Sequence, residues 1–101
     1  MRKIKMLVKD MREELCDAEK YAKRSAEFKD DDRELSSMYR QLAEQELAHA
    51  DQQHSHAVAM IREYKQSGKE TPAAMQAVWD WEHEQMIEQE AEIKDIMRMY
   101  E

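Results

Sequence analysis

Residues that interrupt or cross-link a chain are almost absent from this sequence. Its 101 residues include one glycine, one proline and one cysteine, and aromatic side chains make up only 7%. A lone cysteine excludes an internal disulfide framework, and so few glycines and prolines leave room for few turns. A sheet protein would contain more aromatic residues. We therefore expect a single all-α domain over residues 1–101, built from long helices.

Long apolar runs and an excess of basic residues are missing as well. The formal net charge is −7, from 23 acidic and 16 basic residues. Nucleic acid binding needs a basic surface and a membrane span needs about 20 mostly apolar residues, so neither partner is expected. The N-terminus lacks the apolar core of a signal peptide, which predicts a cytoplasmic location with a reduced thiol. The negative charge suits a protein that attracts cations, and solubility explains it equally well.

Capping and turn signals divide the chain into three helices. The residues that carry these signals are Asp31 or Asp32, Gly68, Thr71 and Pro72. The aspartates can cap a helix start, the glycine suits a left-handed helix end, and Thr-Pro suits the next start. We predict helix A near 3–29, helix B near 33–66 and helix C near 72–100. The short A–B connection makes the first two helices an antiparallel hairpin.

Each predicted helix has one stripe at helical spacing that is apolar at its ends and polar in its middle. On helix A the stripe is Ile4, Leu7, Met11, Glu14, Ala18, Tyr21, Ala22, Ser25 and Phe28. On helix B it is Leu35, Met38, Tyr39, Leu42, Glu46, His49, Gln53, His56, Ala57, Met60 and Tyr64. On helix C it is Met75, Val78, Trp79, Glu82, Met86, Gln89, Glu90, Ile93, Met97 and Tyr100. Such stripes normally face the core, so their polar middles are expected to be buried between helices.

Three residues in these polar middles are suited to bind a metal ion. Glu46 and His49 lie at i and i+3 on one face of helix B, so both can reach one ion. Glu14 lies 16 residues before the turn near residue 30 and Glu46 lies 16 residues after it, so the hairpin brings them to the same height. A buried carboxylate needs a partner or a metal ion. The sequence predicts a metal site here, with a hydrogen-bonded polar layer that fixes register as the alternative.

Two segments around these residues carry a family pattern. They are residues 14–21, ELCDAEKY, and residues 39–50, YRQLAEQELAHA. A Glu followed seven residues later by Tyr, and a Glu-x-x-His on the next helix, resemble a rubrerythrin-type ferritin-like protein over about residues 7–65. The resemblance implies that Glu14, Glu46 and His49 bind iron. It also implies that Tyr21 or Tyr39 forms hydrogen bonds to these ligands.

The chain supplies only half of the ligands that this family uses. A complete di-iron site needs a second Glu and a second Glu-x-x-His, whereas helix C offers only Asp80-x-x-His83, with Asp80 off the stripe. Two chains around a two-fold axis supply the full set, as in the half-length encapsulated ferritins, although those lack so long a third helix. The resemblance thus implies a ferritin-like four-helix bundle completed by dimerisation, as a homodimer or higher homo-oligomer. Its cofactor would be di-iron (Fe2+/Fe3+), with Zn or Mn as alternative metals.

The function that the resemblance implies is iron handling, with Fe(II) oxidation by a ferroxidase as its enzymatic form. A hypothesis of another class is a helical structural or assembly module. Such a module would belong to a phage particle or a cellular compartment and would carry a structural or vestigial metal site. Both hypotheses allow a compartment or particle partner.

Weaker ligand candidates are Glu82, His83, Glu90 and His56. For the three on helix C, interhelical hydrogen bonds are the favoured alternative. For His56, which shares the face of His49, a satisfied interior histidine is favoured over a second ion. His54 points elsewhere and is expected to form a solvated surface pair with Asp51.

Overall fold

Three long α-helices make up the fold. The computed structural model describes residues 2–68 and 73–100. The helices are α1 (Arg2–Phe28), α2 (Arg33–Gln66) and α3 (Ala73–Met99), and the described residues include no strand. The predicted all-helical class and the three helices are confirmed, and each helix begins and ends within one residue of its expected bound. Thr71 and Pro72, the expected start signals of the third helix, lie outside the described residues.

The ends of α2 follow from local sequence signals. Asp32 is its N-cap, in an extended conformation, and its side chain accepts a hydrogen bond of 3.0 Å from the backbone N–H of Leu35. Ser67 closes the other end through its N–H to the carbonyl of Glu63. Gly68 follows with φ of +79°, a conformation that side chains with a Cβ rarely adopt. The predictions for Asp32 and Gly68 are therefore confirmed.

A regular seam of buried side chains joins α1 to α2. On α1 these residues recur every three or four positions: Ile4, Val8, Met11, Leu15, Ala18, Ala22 and Ser25. On α2 they are Ser36, Ala43, Leu47, Ala50, Ala57 and Ile61. This spacing is that of helices that pack side by side at a small angle. Near the turn the two serines exchange hydrogen bonds, because each hydroxyl donates to the other's carbonyl, at 2.9 and 2.6 Å.

The buried stripe of α2 is rotated from the predicted one. Leu42 and Glu46 are half-buried, whereas His49 and His56 are exposed, so the prediction that these histidines face the interior of the chain is wrong. Apart from Ala57, which the predicted stripe contains, the buried residues lie one position beyond the predicted ones, and three of the buried residues are alanines: Ala43, Ala50 and Ala57. Their size lets the α2 backbone approach the larger side chains of α1, and the stripe with the polar middle therefore lies at the edge of the helix pair.

The third helix packs along one side of this pair. Its buried residues, Met75, Trp79, Met86 and Ile93, all belong to the predicted helix C stripe. Arg12 of α1 forms an ion pair with Glu82, and Arg40 of α2 donates to the carbonyl of Met97 at 2.9 Å. The bundle measures 56 × 18 × 17 Å. Within the described residues, no helix is long and apolar enough to cross a membrane.

Candidate metal centre

The hairpin brings Glu14 of α1 beside Glu46 and His49 of α2, as their distances from the turn predict. One ligand atom from each residue lies within 4.8 Å of the other two. The Nδ1 atom of His49 is 3.7 Å from Oε2 of Glu14 and 3.9 Å from Oε2 of Glu46. These residues are called the Glu-Glu-His cluster below. Two carboxylates and one imidazole thus meet at a single point between two helices.

The two separations from His49 in the Glu-Glu-His cluster are longer than direct hydrogen bonds. A hydrogen bond to a ring nitrogen is normally about 2.7–3.2 Å long, and both His49 distances exceed that range. Two ligand atoms that each lie about 2.1 Å from one ion are about 3.0–4.2 Å apart, depending on the angle between them. Both His49 distances fall within this interval. The limit of 4.8 Å that encloses all three ligand atoms is larger, so the side chains would draw together around an ion. Carboxylate and imidazole together suit iron, zinc and manganese.

The charges of the Glu-Glu-His cluster also call for a cation. The side chains of Glu14 and Glu46 are only 24% and 19% exposed. Within residues 2–68 and 73–100, the one basic side chain that pairs with either carboxylate is His49. Two partly buried carboxylates this close repel each other and lose hydration. A bound metal ion would offset both costs.

The Glu-Glu-His cluster lies on the side of the hairpin away from α3. Arg12 and Cys16 contact α3, and the helical step places both about 160° around α1 from Glu14. The side chain of His49 is 55% exposed. The open flank is defined here as the half-buried or exposed residues on this side of the helix pair: Glu14, Tyr21, Phe28, Tyr39, Leu42, Glu46 and His49. No described part of α3 covers it.

Tyr21 and Tyr39 form an aromatic stack on the open flank, between the cluster and the turn. Their ring centroids are 6.0 Å apart, and Phe28 lies 6.3 Å beyond Tyr39. Lys20 and Arg24 lie over the two tyrosine rings. In the part of the chain that the structure describes, neither hydroxyl forms a hydrogen bond to the cluster. The role of the tyrosines as hydrogen-bond partners of the ligands stays a prediction.

The weaker candidates on α3 do not join the Glu-Glu-His cluster. Glu82 is held by Arg12 across the α1–α3 contact, which is the interhelical role that the sequence favoured. Glu90 pairs with Lys94 at 3.0 Å and interacts with Asp51 of α2. These carboxylates lie on the side of the hairpin that α3 covers, so they cannot reach an ion held by Glu14.

The other histidines occupy two different environments. His56 is exposed, so its interpretation as an interior histidine is wrong. His54 is half-buried, with its ring 4.9 Å from His83 and 5.7 Å from Trp79, so the prediction that it is solvated is wrong. Its electrostatic interaction with Asp51 is present, because His54 acts to lower the pKa of that carboxyl group. Trp79 and His83 are four residues apart, a spacing that predicts contact on one helix face. Their contact with α2 depends on how α3 packs, which a single helix pattern does not specify.

Asp51 gives a pH-dependent prediction on the α2–α3 side. Partial desolvation and the carboxyl group of Glu90 raise the pKa of Asp51 above its ordinary value of 3.8. Because the pKa of Asp51 is higher in the folded protein than in the unfolded chain, ionisation of this residue lowers the free energy of unfolding. The loss of stability develops as the pH rises from 3.8 through the folded-state pKa. We expect Asp51→Asn to stabilise the protein at pH 7 by less than about 1 kcal/mol.

Urea denaturation at neutral and acidic pH checks this prediction. The gain at neutral pH should disappear at a pH below 3.8, where both states bind the proton. Asp10→Asn, an exposed aspartate on α1, makes the same change in net charge and serves as the control. An equal gain in both variants would show that net charge, and not the contact with Glu90, is responsible.

Comparison with known proteins gives no relative for this chain. No model of a protein family, no curated protein and no solved structure matches it. The resemblance to rubrerythrin-type proteins therefore remains a prediction from the segments around Glu14 and Glu46. The structure adds the convergence of three ligand residues, two carboxylates and one imidazole, on a flank that no described part of α3 covers.

Proposed function

We propose that this chain is a ferritin-like metal-binding protein whose di-iron site is shared by two copies. The observation that carries the proposal is the Glu-Glu-His cluster, in which Glu14, Glu46 and His49 bring their ligand atoms within 4.8 Å of one another. Its carboxylates have no lysine or arginine partner among the described residues. A cation bound between these two partly buried carboxylates would reduce the repulsion between them.

The position of the cluster supports a two-fold dimer. Metal sites in four-helix bundles lie between facing helices, but the Glu-Glu-His cluster lies at the edge of a two-helix pair, with His49 exposed. A second hairpin on the open flank would complete a four-helix bundle and add two carboxylates and one imidazole. The half-buried rings of Tyr21 and Tyr39 beside the cluster offer apolar surface for that contact. The same surface on both copies makes the contact isologous.

The proposed chemistry is oxidation of Fe(II) as a substrate, with dioxygen as the electron acceptor and Fe(III) as the product. Iron supplies the redox chemistry when it is bound. The chain's part is to hold the ions: the carboxylates of Glu14 and Glu46 offset the positive charge, and His49 adds a nitrogen ligand. The α1–α2 seam fixes the spacing of these side chains. Zn and Mn are alternative metals for the same ligands.

A metal titration tests this function. Under anaerobic conditions, Fe(II) should bind at about one ion per chain, half of a two-ion site. In air, a ferroxidase should form Fe(III) faster than protein-free buffer does. Binding without faster oxidation would leave a metal-binding protein that is not a ferroxidase. Failure of Fe(II), Zn(II) and Mn(II) to bind would favour the alternative, a helical assembly module with a vestigial site.

A further inference from the structure

A second pair of potential metal ligands joins α2 to α3. The Nε2 atoms of His54 and His83 are 2.9 Å apart, a hydrogen-bond distance at which the N–H of one ring donates to the nitrogen of the other. Their rings stack with centroids 4.9 Å apart and planes 24° apart. Both histidines are half-buried. Trp79 is only 7% exposed, and its ring centroid lies 5.7 Å from that of His54 and 5.2 Å from that of His83. Two ring nitrogens therefore converge beside an indole at the packing contact of two helices.

We propose that His54 and His83 exchange this hydrogen bond for a divalent late first-row transition metal ion, with Cu(II) preferred, and that the proton between the two nitrogens moves away from them when the ion binds. An ion about 2.0–2.1 Å from each Nε2 atom, with those atoms 2.9 Å apart, makes an N–metal–N angle of about 90°. That angle is the one between neighbouring ligands in the tetragonal geometry of Cu(II) and Ni(II). A tetrahedral zinc ion needs the nitrogens about 3.4 Å apart. In the Irving–Williams order, copper also binds most tightly.

This bis-histidine site is separate from the Glu-Glu-His cluster. The helical step places His54 about 140° around α2 from His49, on the side that α3 covers. Among the described residues, no third histidine, cysteine or carboxylate joins these two in one ligand group. The other coordination positions are therefore left to water or to an added ligand. The two sites also differ in chemistry, because carboxylates favour harder ions and imidazoles favour copper and nickel.

A metal ion at the bis-histidine site would fasten α3 to α2. The two ligands are 29 residues apart in the sequence and come together only when α3 packs in place. An ion that binds both ligands therefore favours the packed state over any state in which α3 has detached. The bound ion would lie close to the indole of Trp79, and Cu(II) at such a distance should quench its fluorescence.

Copper titration followed by tryptophan fluorescence tests the proposal. The protein for the test carries His49→Ala, which removes one ligand of the Glu-Glu-His cluster, and Trp81→Phe, so that Trp79 is the only tryptophan. Trp81 is 58% exposed, so its replacement should be tolerated. A small excess of Cu(II) should quench the emission, and a chelator should restore it. His54→Gln and His83→Gln should each weaken copper binding by more than the about 10- to 100-fold that loss of an outer-shell partner costs.

His56→Gln is the matched control, because His56 is an exposed histidine on the same helix as His54. This replacement should leave the copper titration unchanged. Electron paramagnetic resonance gives a second readout. Its nitrogen couplings should show two imidazoles bound to copper in the test protein, and a single imidazole after either His54→Gln or His83→Gln. Quenching that survives both replacements, or a single coupled imidazole in the parent, would overturn the proposal. Since His49 is absent throughout, these outcomes do not depend on the proposed iron site.

Discussion

Replacement of His49 by alanine is expected to abolish the rise in melting temperature that Fe(II) produces in the parent protein under anaerobic conditions. A ligand that binds only the folded state, at about 100 times its Kd, stabilises that state by about 2.7 kcal/mol. For a domain of this size, 1 kcal/mol corresponds to about 4–8 °C, so the parent should gain about 10–20 °C. His49 supplies the nitrogen ligand of the cluster. Scanning calorimetry with and without metal measures the difference.

Two kinds of variant make this result specific. His56→Ala removes an exposed histidine from the same helix and should keep the full metal-dependent gain. Glu14→Gln and Glu46→Gln keep the size of each side chain but remove a charged ligand, so each should reduce the gain. A full gain in His49→Ala would show that metal binds elsewhere. Loss of the gain in His56→Ala would point to binding by surface histidines in general.

Replacement of Ile93 by alanine should lower the free energy of unfolding by about 2–5 kcal/mol, because it leaves a cavity where α3 meets the rest of the bundle. Ile93 is 0% exposed. Ile87, on the same helix but 54% exposed, is the matched control, and Ile87→Ala should change stability by less than about 0.5 kcal/mol. Urea denaturation of the two variants measures both effects. Equal costs would contradict the packing of α3 described above.

The parts of the fold that the sequence predicted depend on local interactions. Asp32 caps α2 through its own side chain, and Gly68 ends the helix because its backbone adopts a positive φ. Both effects act within a few residues, so both are readable without knowledge of the tertiary structure. The meeting of Glu14 and Glu46 needed only one more fact, the position of the turn, because two helices of equal rise keep residues at equal distance from the turn side by side.

The parts that the sequence did not predict depend on packing between helices. On α2, two stripes of residues that differ by one position could each pack against α1. The small side chains of Ala43 and Ala50 favour the stripe that contains them, and His49 is not part of that stripe. A helical pattern identifies apolar positions but does not measure how closely two backbones can approach. The pairing of His54 with His83 was missed for a related reason, since it depends on which side of the hairpin α3 occupies.

The shared metal site is tested most directly by native mass spectrometry of the protein loaded anaerobically with Fe(II). The parent should appear as a dimer, or a multiple of one, with two iron ions per pair of chains. His49→Ala, measured at the same concentration, should carry no iron, and His56→Ala should match the parent. A monomer that carries two iron ions, or a dimer of the parent that carries none, would contradict a site shared by two copies of the Glu-Glu-His cluster.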